Sequence, residues 1–231
     1  MADPCLDGAP HRLARRLRRH GQILVAGPLA ALLILAALAA PLIARHDPNA
    51  LNPRAKAHPP SLVHWLGTDE FGRDLLSRLL YGARITLLVG LCSVVLAAAG
   101  GTVLGTVAAY AGRGVEVAIM RTMDGMLCFP PILLGIFVVT FLGQSLVNLI
   151  SVIGILYIPR FTRVVHSSTL AIRELEYVES ARALGASAAR IIARAILPNV
   201  LAPILVQASL AAGHAILLES GLSFLGLGPP P

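Results

Sequence analysis

Residues 85–112 read ITLLVGLCSVVLAAAGGTVLGTVAAYAG, twenty-eight consecutive positions without Asp, Glu, Lys or Arg. As a helix such a run is longer than the roughly 20 residues needed to cross a bilayer. Three further charge-free runs flank it, at 21–44, 125–159 and 195–218. Of the 231 residues 56% are hydrophobic and 13% charged, whereas a soluble domain carries about 25% charged residues. The pattern excludes an ordinary cytosolic enzyme, a disordered tail and a secreted disulfide scaffold. It predicts an all-α, polytopic membrane bundle.

The run 21–44 follows HRLARRLRRH at 11–20, with five arginines. A cleaved signal has an apolar core of 7–15 residues. This run has 24, so it reads as a retained span. The stretch 125–159 is too long for one crossing and is interrupted at Gly143-Gln144-Ser145 and Asn148. It predicts one helix from about Val117 to Leu142, kinked by Pro130-Pro131, and another from about Leu146 to Val165. A fifth runs from about Leu197 to Leu218. Inside 85–112, Ala97, Gly101, Gly105 and Ala109 recur every fourth residue; this small-residue face lets a neighbouring helix come close.

Five spans with the N-terminus inside place thirteen Lys/Arg in the inward segments 1–20, 113–124 and 160–194, against six in the outward segment 45–84. The positive-inside bias therefore predicts a cytoplasmic N-terminus. The formal charge of +7 follows from this distribution and not from nucleic-acid binding. The predicted organisation is a basic cytoplasmic N-terminus, 1–20, and a transmembrane domain, 21–231. Within that domain lie an outward loop, 45–84, and a cytoplasmic loop, 166–196.

The chain carries no motor of its own. It has no phosphate-cradling G-x-x-x-x-G-K-[ST] and neither H-E-x-x-H nor G-x-S-x-G. Cys5, Cys92 and Cys128 form no metal or disulfide pattern. His58 and His64 are close only in a loop and read as ordinary loop histidines, so no metal site and no cofactor is expected. Work by such a protein would draw on energy supplied elsewhere.

The cytoplasmic stretch 174–194 reads ELEYVESARALGASAARIIAR. Val178, Ala181 and Leu184 fall at helical spacing, while Glu174, Arg182 and Arg190 supply a polar face. Gly185 stands where a left-handed residue ends a helix. A short helix from about Leu175 to Leu184, a glycine turn and a second helix, Ser187–Ile196, are predicted. Such a helix lies on lipid headgroups or fits a partner's groove.

Glu179-Ser180-Ala181, Gly185 and Leu197-Pro198 resemble the signature loop of bacterial ATP-binding-cassette importer permeases: Glu-Ala-Ala, three residues, Gly, nine residues, Ile, one residue, Leu-Pro. Ser180 and Ala195 depart from it, both being small. LGTDEFGRDLLSRLLYGARITLLVG at 66–90 and ESGLSFLGLG at 219–228 resemble the C-type permease of dipeptide, oligopeptide and nickel importers. The resemblance covers nearly the whole chain from about residue 20. It implies the type I importer-permease fold in the bacterial inner membrane. It also implies a B-type second permease subunit, two cytoplasmic ATPase subunits that bind ATP and Mg, and an extracytoplasmic solute-binding protein. Six spans are implied, and the sequence stops at Gly228-Pro229-Pro230-Pro231, before the last of them.

Under that resemblance Val178, Glu179, Ser180, Ala181, Arg182, Leu184, Gly185, Leu197 and Pro198 form the ATPase-coupling loop. Glu179 and Arg182 would make its polar contacts, and Val178, Ala181 and Leu184 the apolar ones. Gly67, Thr68, Asp69, Gly72, Arg73 and Asp74 either pair among themselves or shape an outer gate that meets the binding protein. Arg121 and Asp124, three apart, are expected to pair with each other. His214 and Glu219 are candidates for the pathway. The competing function is an autonomous secondary transporter or channel, but the charge-free spans lack the mid-span carboxylates such proteins often use.

Overall fold

Long apolar runs in a chain with so few charges can satisfy their backbone groups in lipid only as helices. The computed structural model describes residues 21–228, so the basic segment 1–20 and Pro229–Pro231 lie outside the described residues. Among the described residues the regular structure is helical, with no strand and one isolated bridge between Thr68 and Asp74. The chain divides at Ile85 into two units.

In the first unit, α1 (Gly21–Leu38) gives way at Ala39 to the short α2 (Ala40–Ile43), which has a proline in its first turn. Pro41 lacks the N–H that a continuous helix would need there. Residues 44–74 are irregular apart from one 3₁₀ turn, Pro53–Ala55, capped by the Asn52 side chain. Then α3 (Leu75–Tyr110) begins, ten residues before the predicted start. Asp74 explains the early start. Its Oδ2 accepts the Ser77 amide at 2.8 Å, the side-chain capping that satisfies an otherwise orphaned donor at a helix N-terminus.

In the second unit, α3 continues from Thr86 and is followed by α4 (Arg113–Leu127), α5 (Pro131–Leu142) and α6 (Leu146–Arg173). Next come α7 (Glu176–Ala183) and α8 (Ala188–Ile191), which passes through a π segment, Ile192–Ile196, into α9 (Leu197–Leu222). A second π segment covers Ser223–Leu227. The predicted single kinked span Val117–Leu142 is corrected: α4 and α5 meet at 89°. Two successive prolines remove two N–H donors, and Pro130 itself is extended. The helix is therefore broken, not bent.

Three helical stretches, Leu75–Tyr110, Leu146–Arg173 and Ala188–Leu227, are long and apolar enough to cross a membrane, or four if the bent pair counts as one. The apolar part of α1, Leu24–Leu38, is shorter. Five spans were expected, so the described residues hold fewer full-length ones. The core of the second unit lies on α6, 61% of whose apolar window is buried, against 22% for Ala188–Leu227. Phe161, Ile153, Val165 and Leu149 are the apolar side chains on it that are fully covered.

The small-residue face of α3 is where α6 crosses. Ala97, Gly101, Gly105 and Ala109 are all buried. A Cβ on Gly101 would sit 2.3 Å from the Phe161 Cβ, and one on Gly105 would sit 2.7 Å from the Thr162 carbonyl oxygen. Polar ties add to this seam. Ser93 Oγ donates to the Ile150 carbonyl at 3.1 Å, and Arg173 donates to the Ala109 carbonyl at 2.8 Å.

Candidate functional site

The predicted coupling loop is an exposed helix with a defined end. α7 spans Glu176–Ala183, one residue inside each predicted boundary, with extended Leu175 at its N-cap. Glu176 and Glu179 lie in its first turn and Arg182 in its last, the charge order that complements a helix dipole. Its C-terminus is a Schellman turn. Gly185 N–H donates to the Arg182 carbonyl and Ala186 N–H to the Ala181 carbonyl, both at 3.0 Å, and Gly185 has φ +79°. That left-handed conformation is nearly free for glycine and costly for a residue with a Cβ. Ser187 then caps α8, its hydroxyl accepting from the Arg190 amide at 3.4 Å.

The exposed faces divide the expected roles. Glu179, Ser180 and Arg182 are solvent-exposed, Ala181 is half-buried, and Leu184 is 89% exposed. Val178 is fully buried within the chain, which corrects its assignment as a partner contact: it seats α7 on the chain's own helices. Leu197 is half-buried and Pro198 exposed at the start of α9, where proline is tolerated because the first-turn N–H has no helical partner. Beside α7 an open polar cleft is lined by Tyr110, Arg173, Glu174, Glu179 and Arg182.

Two polar side-chain pairs stand between α4 and α6, one of them an ion pair. Arg163 binds Asp124, and His166 Nε2 lies 3.0 Å from a Glu116 carboxylate oxygen. Asp124 thus takes its partner from the next long helix, and the local Arg121–Asp124 pair is corrected. On α9, His214 and Glu219 do not form one site. His214 is exposed, with Nδ1 donating to the Leu210 carbonyl at 2.8 Å, whereas Glu219 is 3% exposed. Five residues apart, they project from different sides of the helix.

The six outer-loop residues are drawn into one knot within the first unit. Asp69 Oδ1 accepts the amides of Phe71 and Arg73 at 2.8 and 2.9 Å. Its Oδ2 accepts from Arg78 at 2.5 Å and lies 3.5 Å from Arg73 Nε. His58 N–H donates to Thr68 Oγ1 at 2.9 Å, and the Leu75 amide to the Gly67 carbonyl at 3.1 Å. Gly72 has φ +76°, and a Cβ there would lie 1.8 Å from the Asn52 carbonyl oxygen, so only glycine fits. Both aspartates are turned inward onto the loop's own donors. Glu70 and Phe71 are exposed at the tip.

The Asp69 carboxyl is held below its ordinary value of 3.8. Burial pushes it upward, but the Arg73 and Phe71 amides, the Arg78 guanidinium and the charge of Arg73 outweigh that. A depressed native pKa adds stability that is fully present above the unfolded value and is lost as pH falls through the native one. The emission of Trp65, the chain's single tryptophan, reports on this loop. It is expected to show a change below about pH 4 that an Asp69→Asn variant lacks. The same acid change in the variant would contradict this account.

Sequence comparison places the chain among known proteins. Residues 101–230 match the family described as the binding-protein-dependent transport system inner membrane component. Residues 11–60 match the N-terminal TM domain of oligopeptide transport permease C. The chain is 46% identical to a putative peptide transport system permease protein of Brucella abortus, over 94% of this chain and 73% of that protein. The chain belongs to this permease family. It is also 47% identical to the dipeptide transport system permease protein of Alkalihalophilus pseudofirmus, over 84% of this chain and 64% of that one. The probable D,D-dipeptide transport system permease protein of Escherichia coli is 42% identical over 85% of this chain and 66% of its own length. The chain is thus a multi-pass membrane permease component of a transport system.

Proposed function

We propose that this permease forms half of the pathway by which a bacterial ATP-binding-cassette importer brings peptides, dipeptides or oligopeptides, across the cytoplasmic membrane. A B-type permease subunit forms the other half, and an extracytoplasmic binding protein delivers the cargo. Two ATPase subunits hold ATP and Mg and supply the work, and the chain itself catalyses nothing. The N-terminus is cytoplasmic, which puts α7 on the ATPase side and the 45–74 loop outside. The peptide assignment draws on the names of the relatives.

The observation that carries the reading is α7: a short helix held between two long apolar helices by Val178 and a glycine turn, with Glu179, Ser180, Arg182 and Leu184 outward. ATP-driven closure of the ATPase pair moves a groove in which these side chains sit. Ala181 lines the contact, Gly185 sets the helix direction, and Leu197-Pro198 opens the span that receives the motion. In the outer loop Gly67, Thr68, Asp69, Gly72, Arg73 and Asp74 hold the shape, and Glu70 and Phe71 face the binding protein. Glu219 and His214 belong to different surfaces of the pathway helix.

Crosslinking tests the arrangement. A cysteine at exposed Ser180, in a chain whose own three cysteines are replaced, is expected to crosslink to the co-purified ATPase subunit and to respond to ATP. Labelling of that cysteine only from outside the cell, with no ATPase adduct, would overturn the reading.

A further inference from the structure

Three side chains that could bind a metal ion converge in the outer loop, although 18 and 10 residues separate them along the chain: His46, His64 and Asp74. One imidazole nitrogen from each histidine and one Asp74 oxygen lie within 4.8 Å of one another. His64 Nδ1 is 3.0 Å from Asp74 Oδ1, and the two imidazole rings are 4.8 Å apart between centroids. Metal–donor bonds of about 2.0–2.1 Å place neighbouring donors in a tetrahedral shell about 3.3 Å apart. The separations, 3.0 Å for His64 to Asp74 and at most 4.8 Å for the others, lie around that value.

The surroundings favour a cation. Asp74 is 5% exposed, and among the described residues no Lys or Arg pairs with it: Arg73 and Arg78 are engaged by Asp69. Arg45, beside the cluster, is drawn over the Trp65 ring at 4.9 Å. Asp74 Oδ2 is fixed by the Ser77 amide and hydroxyl, both at 2.8 Å, the kind of outer support that orients a ligating carboxylate. Oδ1 remains for the histidines. Ile43, Val63 and Leu76 line the same small cavity, and burial of the Asp74 carboxylate raises the cost of leaving it uncompensated.

We propose that His46, His64 and Asp74 bind one divalent late first-row transition ion of the zinc class, with water completing the shell. Two imidazoles and one carboxylate form a borderline donor set that suits such ions and not Mg²⁺ or Ca²⁺. Bound there, the ion staples residue 46, beyond the first apolar helix, and the 64 turn to the start of α3. It is a structural ion of the outer loop and not cargo.

The test titrates Zn²⁺ into the full chain in detergent, followed by calorimetry and by Trp65 emission, with Co²⁺ as the spectroscopic probe. One equivalent is expected to bind at micromolar concentration, to perturb Trp65 and to give the visible absorption of tetrahedral Co²⁺. His46→Ala and His64→Ala should each weaken binding at least about tenfold, with far-UV circular dichroism retained, while His58→Ala should leave it unchanged. An affinity in either variant equal to that of the unmodified chain would overturn the proposal. So would an unresponsive Trp65 in the unmodified chain, a measurement that needs no variant to fold.

Discussion

Gly185→Val is expected to abolish peptide uptake while the protein still inserts and accumulates in the membrane. Nothing lies within 4 Å of where a Cβ on Gly185 would stand, so the new side chain meets no neighbour and the packed helices are untouched. The penalty is local. A residue with a Cβ held at φ +79° costs about 1–2 kcal/mol, and a β-branched one more. The Schellman turn can relax by giving up the bonds to the Arg182 and Ala181 carbonyls, which re-aims α7 and carries Glu179, Arg182 and Leu184 with it. Gly185→Ala should retain part of the activity. Labelled-peptide uptake, normalised to membrane protein level, decides the matter, and undiminished uptake by the valine variant would remove α7 from the coupling role proposed for it.

Gly101→Leu is expected to fail earlier, at assembly of the helices. The α3–α6 crossing leaves no room even for a methyl group, because a Cβ at 101 would stand 2.3 Å from the Phe161 Cβ and 2.9 Å from the Thr162 amide nitrogen. Overpacking of a close contact costs about 1–3 kcal/mol for modest insertions. Here part of the obstruction is backbone, so leucine must force the two helices apart and expose the Ser93–Ile150 bond. Membrane levels should fall severalfold and the detergent-solubilised melting temperature should drop. Gly213→Ala is the control, since nothing lies within 4 Å of that position. Equal stability of the Gly101 and Gly213 variants would mean that the seam is not a structural contact.

What was legible beforehand depended on how local the signal was. The end of α7 was readable because one glycine in a helical pattern has a single conformational use, and the structure places α7 within a residue of the reading. The small-residue face of α3 was readable because a period of four needs only one helix to be seen. The early start of α3 was obscured by Arg78 and Arg84, which look like loop charges. The signal was present in Asp74 and Ser77, a cap three residues apart. In the sequence alone the proline pair predicts a kink, whereas the loss of two adjacent donors breaks the helix outright.

Pairings over long separations were not legible at all. Asp124 has an arginine three positions away, yet binds Arg163, 39 residues on. His58 and His64 looked like neighbours, but His64 turns instead to Asp74 and stacks near His46. In both cases the three-dimensional path of the chain, and not the local residue pattern, chooses the partner.

The helical run Ala188–Leu227 has a mechanical corollary. Its unbroken α-helical part, Leu197–Leu222, has 26 residues, about 39 Å at 1.5 Å each, enough for a hydrocarbon core of about 30 Å. Pivoting such a helix by about 5° sweeps its far tip through about 3 Å. Under the proposed coupling, a nudge that leaves the packing at Ile191 and Ile196 in place is thereby passed on as a larger displacement at the opposite end.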